Sequence, residues 1–453
     1  MSIASHVQSG RFRITPISFL LLVATAYAVC AFGSQPQESG DPITLARALA
    51  LTLERSPELA AFSWDIRAAE ARILQAKLIP NPEISWDGED FTRAGVQSAT
   101  ESMQNTLVLS QLIELGGKRR SRVSEAQFDR RSAEWDYQVK RLEVLKSTSL
   151  AFIDVVSGQR KVRLAEENVQ LTESGVPITQ KRVEAGKASS VELIRANTEA
   201  ATARIELAEA RHDLEAARVN LAARWGAKKA TFPSVAGDLE QLRPIPSLES
   251  LKGKLRSNPE LAKWTTERHK REATLSVARA EAHPDLTLNA GPRLLGASHA
   301  DMSLVAGFSI PLPLWNRNQG KIAEAEANVA KTSDEQAAAE ADANAELNEA
   351  YQTLQRAAEE VRILRDTVLP GAKSVVDETT EGYATGRFSQ LDVLDAQRSY
   401  IETRTQYVRA LSDFQKAAAQ IDALTAGPVE LPSPGPVSTT YQGKGKNKVK
   451  SDR

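Results

Sequence analysis

Two hydrophobic rhythms alternate along the chain. Over about 44–79 and 247–282, apolar residues recur every three to four positions, the spacing of a helix with one buried face. Each run is broken once by proline, at Pro57 and Pro259. The rhythm then shortens to two. In "EISWD" (83–87), Ile84 and Trp86 oppose Glu83, Ser85 and Asp87. "DLTLNA" (285–290) sets Leu286, Leu288 and Ala290 against Asp285, Thr287 and Asn289. "MSLVAGFSI" (302–310) puts Met302, Leu304, Ala306, Phe308 and Ile310 on one face, and "TLVLSQLIEL" (106–115) alternates more loosely. These segments predict four strands in two hairpins.

A helical rhythm of unusual length follows each hairpin. From Lys118 to about Glu184 it runs for roughly 67 residues, which at 1.5 Å per residue is about 100 Å. Glycine then interrupts, at Gly186 and Gly386, and second long helices are expected over about 188–225 and 388–424. Pro177 and Pro370 should bend these helices rather than end them. Val191, Ile194, Ala201, Ile205 and Ala208 form a stripe, interrupted by Thr198, that predicts helix packing rather than chemistry.

The order repeats. "RSPELA" (55–60) matches "SNPELA" (257–262), and "NPEISW" stands opposite "HPDLTL". "LSQLIELGGKRRSRVSEA" (109–126) aligns with "FSIPLPLWNRNQGKIAEA" (308–325), and Gly186 with Gly386. Collinear matches at one offset of about two hundred residues indicate a duplication, too long in period for a solenoid. The expected organisation is a first repeat over 42–225, a connector over 226–247, a second repeat over 248–425 and a disordered tail over 426–453.

Composition narrows the class. Aromatics are 5% of the 453 residues, and good helix formers dominate the long segments. A net charge of −1 gives no reason to expect a nucleic-acid partner. Five histidines and one cysteine, Cys30, make a soft-metal site or disulfide framework unexpected, and no cofactor is called for. No G-x-S-x-G, P-loop or H-E-x-x-H motif occurs, so no catalytic residue is assigned and an enzyme is not expected. Arg11 and Arg13 precede an apolar run ending in Ala26-Tyr27-Ala28, which reads as a signal peptide over 1–28. A single membrane anchor is the alternative, and Cys30 is a candidate lipidation site.

Strands in an exported chain with very long helices point to a membrane barrel, with flanks reaching the nine to eleven residues a tilted strand needs. Two half-buried hairpins on a soluble domain are the alternative. Four strands cannot close a barrel, and an open edge in lipid leaves backbone groups unpaired, so several copies must complete it. A periplasmic adaptor would carry one helical hairpin between β-rich domains. A structural envelope coiled coil would need no strand insertions.

The doubled "PELA" helices, the proline-led hairpins, "LSQLIELGGKRRSR" and the two glycine motifs followed by "VELIRA" and "LDVLDA" resemble the TolC-like outer-membrane factors of tripartite efflux systems. The likeness covers about 42–425, and "PNPEIS" with "QLIELGGKR" is most similar to the CzcC-type branch, which serves heavy-metal and cation efflux. The resemblance implies a mainly α protomer with a small β part. Four strands from each of three chains would form a 12-stranded barrel in the outer membrane of a Gram-negative bacterium. Antiparallel coiled-coil helices would form a periplasmic α-barrel. It implies a passive duct, with a homotrimer, an inner-membrane RND-type pump, a periplasmic adaptor and outer-membrane lipid as partners. Drug or type I protein export fits the same pattern.

On this resemblance the glycine motifs are hairpin tips, and Ala185, Gly186, Lys187, Thr385, Gly386 and Arg387 are adaptor-contact candidates. Asp392 and Asp395, three apart on one helix face, would ring the narrow end of the pore, with Glu192 as a lesser contributor. Two solvated surface acids are the plainer reading. Crowding of like charges in such a ring should raise some of their pKa values. Tyr383 is expected to bond near Glu192 and hold the tip shut, with Arg387 a second gate contact. The family's gate arginine stands two residues after the glycine, a place taken here by Phe388.

Overall fold

The computed structural model describes residues 42–89, 103–295 and 301–426. The leader, Cys30 and all but the first residue of the expected tail lie outside the described residues. The series helix, helix, strand, strand, long helix, helix occurs twice. The first runs α1 (Leu45–Arg55), α2 (Pro57–Lys77), β2 (Glu83–Glu89), β3 (Gln104–Ile113), α3 (Lys118–Glu184) and α4 (Ser190–Ala223), preceded by a short β1 (Ile43–Thr44). After β4 (Val235–Ala236), the second runs α5 (Leu248–Leu255), α6 (Pro259–Glu281), β5 (Leu286–Leu295), β6 (Asp301–Ser309), α7 (Gln319–Ile363), α8 (Leu369–Thr385) and α9 (Gln390–Leu424).

The helix boundaries follow local chemistry. Pro57 and Pro259 each begin a helix, where a missing N–H costs nothing. Asn258 caps α6 by accepting from Glu260 N at 2.8 Å, and its amide donates to Leu424 O at 2.9 Å, tying α6 to the end of α9. The two prolines expected to bend the long helices behave differently. α3 continues through Pro177 as one 67-residue helix. Ahead of Pro370, the backbone widens into a π-helical turn over Leu364–Val368, where Leu369 N donates to Leu364 O. The wider turn accommodates a ring that would otherwise meet the carbonyl four residues back.

The strands form one antiparallel sheet ordered β2-β3-β5-β6, so β3–β5 pairing joins the two halves. Register sorts the sheet into two faces. Ile84 pairs with Leu109, Leu109 with Ala290, and Ala290 with Ala306, in one apolar row. Leu288–Phe308 and Leu294–Met302 extend the same face. The opposite face carries Glu83–Ser110 and Asn289–Gly307, with Arg293 Nε donating to Thr106 Oγ1 at 3.1 Å. Among the described residues nothing covers the apolar face: Ile84 is 74% and Leu304 81% exposed. Below the sheet, α2 packs on α3, α3 on α6 and α6 on α7.

The core sits midway along the long helices. Phe152, Val155, Leu221, Val361 and Leu411 build one cluster, and Leu251, Leu347, Leu354, Phe414 and Ile421 a second. The segment expected as a connector belongs to this core. Phe232, Val235 and Leu239 are buried in the first cluster, and β4 pairs in parallel with β1. The stripe on α4 is the reverse case. Val191, Ile194 and Ile205 face outward, while Ala196, Ala200 and Ala203 are the buried side of α4. No helix among the described residues is long and apolar enough to cross a membrane.

Candidate functional site at the hairpin tips

Both glycine motifs are helix reversals built the same way. Gly186 and Gly386 take φ of 68° and 83°, a left-handed conformation that other residues enter at a cost. In the first tip, Lys187 N donates to Arg182 O at 2.8 Å and Gly186 N to Val183 O at 2.9 Å. In the second, Arg387 N donates to Gly382 O at 2.7 Å and Gly386 N to Tyr383 O at 3.1 Å. These paired bonds satisfy the last carbonyls of α3 and α8. Ala185, Gly186, Lys187, Thr385, Gly386 and Arg387 are all exposed.

The next helices begin with matched capping boxes. Ser189 accepts from Glu192 N, and the Glu192 carboxylate accepts from Ser189 N at 3.2 Å. Ser389 and Asp392 repeat this, with Ser389 N donating to Asp392 Oδ2 at 2.8 Å and the Ser389 hydroxyl donating to the same oxygen at 2.8 Å. Asp392 therefore has a local structural role. The Ser389 hydroxyl and then its amide hold the Asp392 carboxyl below the usual carboxylate range. That direction, within one chain, is opposite to the upward shift expected from crowding in a ring. Asp395 lies one turn on, exposed on the same helix.

The two tips are tied together. The hydroxyl of Tyr383, a residue only 7% exposed, donates to Glu192 Oε2 at 3.4 Å. Arg182 is the partner that sequence reasoning missed. Its Nη1 donates to Tyr383 O at 2.8 Å, and its guanidinium lies 4.3 Å from the centre of the Tyr383 ring. The carbonyl of Arg182 closes the first tip while its side chain grips the second. Gln390 adds a buried bond, Nε2 to Thr179 Oγ1 at 3.4 Å, and Arg398 pairs with Glu199 through two contacts, Nε to Oε1 at 2.9 Å being one.

Arg387 stays within its own turn, with Nε donating to Thr385 Oγ1 at 3.2 Å. Phe388, standing where the family's gate has an arginine, lies close against Gly382. A Cβ at Gly382 would come within 2.1 Å of the Phe388 ring. Among the described residues, no three His, Cys, Asp or Glu side chains gather to hold a metal ion.

Comparisons with known proteins agree with this architecture. The profile of outer membrane efflux proteins matches residues 48–227 and again 251–427. The cobalt-zinc-cadmium resistance protein CzcC of Cupriavidus metallidurans is 34% identical over 389 residues, covering 86% of this chain and 91% of that protein. The nickel-cobalt-cadmium resistance protein NccC of Alcaligenes xylosoxydans xylosoxydans is 23% identical over 308 residues, covering 68% and 69%. A crystal structure of CusC shares the fold with a TM-score of 0.70 at 16% identity, over 84% of this chain and 92% of that one. With its doubled helix–hairpin–long-helix series, its one-faced sheet and its paired tips, the chain belongs to the outer membrane efflux protein family, with its likeness strongest to the CzcC-type branch.

Proposed function

We propose that three copies of this chain form a passive duct across the outer membrane of a Gram-negative bacterium. The duct carries heavy-metal cations delivered by an inner-membrane RND-type pump through a periplasmic adaptor. The observation that carries the reading is the four-stranded sheet: apolar and exposed on one face, polar on the other, and open at β2 and β6. A sheet with two open edges is incompatible with lipid until other copies close it. Twelve strands, four from each of three copies, make such a closure. The 67-residue α3 supplies about 100 Å of reach below it. The cargo reading rests on relatives named for resistance to cobalt, zinc, cadmium and nickel. The family profile matching once in each half supports an internally duplicated protomer.

Within the duct, the tip residues Ala185, Gly186, Lys187, Thr385 and Gly386 face the adaptor. Asp392 and Asp395, with Glu192, line the constriction, where six aspartates from three copies attract cations without enclosing them. Tyr383 holds the tips closed by its bond to Glu192.

The test is conductance of the purified protein in a planar bilayer, beside the cobalt, zinc and cadmium sensitivity of a deletion strain. A discrete cation-preferring channel and a metal-sensitive strain are expected. A monomer without conductance, absent from the outer-membrane fraction, overturns the duct. A deletion strain with unchanged metal tolerance overturns the cargo.

A further inference from the structure

The strand order β2-β3-β5-β6 is matched below by the helix order α2-α3-α6-α7. Both layers therefore end on the same two sides, β2 with α2 and β6 with α7. Each side carries an apolar patch where strand meets helix. On the first, Leu74, Leu78 and Ile79 are 67%, 58% and 61% exposed. On the second, Leu312, Leu314 and Trp315 are 74%, 59% and 87% exposed. The second patch is held in shape: Arg317 Nε donates to Pro313 O at 3.2 Å and Gln319 Nε2 to Trp315 O at 3.0 Å. A segment fixed in this way loses little freedom on binding.

Resting on the oligomeric duct reading, we propose that these patches are two halves of one contact between neighbouring copies. The "PLPLW" segment of one copy seats against the end of α2 of the next. Every neighbouring pair in the sheet is antiparallel, and the strands are four in number. Continuing the alternation sets β6 of one copy antiparallel to β2 of the next. The end of β6 at Ser309 then lies beside the start of β2 at Glu83. Leu312, Leu314 and Trp315 follow the one by a few residues, and Leu78 and Ile79 precede the other by a few.

The helices continue the match. Trp64 on α2 is 63% exposed, and α7 presents the exposed alanines Ala323, Ala327 and Ala330. Equal rise along two antiparallel helices brings Trp64 of one copy level with Ala330 of the next, a large side chain against a small one. Trp64 lies about 21 Å along the helix from Leu78, so a lipid surface at the junction does not also cover it. A second copy covers both.

The single native cysteine makes the test direct. In the full-length chain carrying Cys30→Ser, Leu78→Cys and Leu314→Cys are introduced together and treated with a short bis-maleimide in outer-membrane fractions. Loss of the monomer band to a ladder ending at the trimer is expected, with neither single variant giving that ladder. Absence of cross-links in a protein that still has trimer mass in detergent overturns this contact and leaves the duct standing. Absence of cross-links in a monomeric protein overturns both. Labelling of Leu314→Cys by a lipid-anchored maleimide, in place of cross-linking, assigns the patch to the membrane and overturns the contact.

Discussion

Arg182 on α3 donates to the carbonyl of Tyr383 on α8, 201 residues away, at 2.8 Å. That carbonyl already accepts from Gly386 N, so one oxygen closes the second tip and anchors it to the first. Arg182→Ala removes a charge-assisted bond worth about 1.5–3 kcal/mol and a cation–π stack. We expect a larger closed-state leak in bilayer recordings and faster amide exchange at 383–388. Tyr383→Phe, which loses only the bond to Glu192, should leak less. Arg182→Lys should rescue part of the effect, because an ammonium keeps the charge but not the flat stack.

Asp392 gives the tips a pH dependence of known sign. Its folded pKa lies below its unfolded one, so its contribution is present above the ordinary carboxylate range and is lost as pH falls through the folded value. Protection of amides at the start of α9, relative to the unfolded chain at the same pH, should therefore fall on acidification below about pH 4. Asp392→Ala should remove that dependence and Asp395→Asn should preserve it. Ser389→Ala should loosen the same helix start by about 1 kcal/mol.

Asp395 carries the clearest signal of the proposed constriction, because Asp392 is also a capping residue. Asp395→Asn should reduce cation preference, measured as reversal potential across a salt gradient, while exchange at the tip stays unchanged. Unaltered selectivity in both Asp395→Asn and Asp392→Asn would remove the aspartates from the pore.

Gly382 and Phe388 should behave as a coupled pair. Gly382→Ala drives a Cβ into the ring at 2.1 Å and must displace it, destabilising the tip. Gly382→Ala combined with Phe388→Ala should cost less than the sum of the single changes, as a double-mutant cycle in thermal unfolding will show.

The β3–β5 seam depends on a close backbone approach. A Cβ at Gly291 would stand 1.8 Å from Leu107 O, whereas one at Gly307 meets nothing within 4 Å. Gly291→Ala should abolish outer-membrane assembly, and Gly307→Ala should leave it intact. Heat-resistant oligomer on a gel is the measurement.

The elements that depend on local signals were legible in the sequence. Lys118–Glu184 agrees with its predicted span because a left-handed glycine flanks each end. The strands followed from alternation alone, with β2 and β5 running on past the expected cores and β3 and β6 shifted by two residues and one. What escaped depends on partners distant in the chain. Little near Phe232, Val235 and Leu239 marks a Gly/Pro-containing segment as core, because their partners on α3 and α9 lie far away in sequence. Arg182 occupies the position that the second repeat gives to Gly382, and only the fold brings it to Tyr383. The α4 stripe was expected to pack on another helix, but among the described residues Val191, Ile194 and Ile205 face outward and α4 packs through Ala196, Ala200 and Ala203 instead.

The seam between β3 and β5 also constrains how the protein is made. Gln104 pairs with Leu295 and Ile113 with Leu286, so the first hairpin has no inner neighbour until the second hairpin has been synthesised. Pairing at such sequence separation is slow, whereas the long helices form from local contacts. During that delay, Ile84, Trp86, Leu107 and Leu109 are exposed on an edge of high β-propensity. Until β5 arrives, the first hairpin is therefore the part of the chain most open to mispairing with other strands.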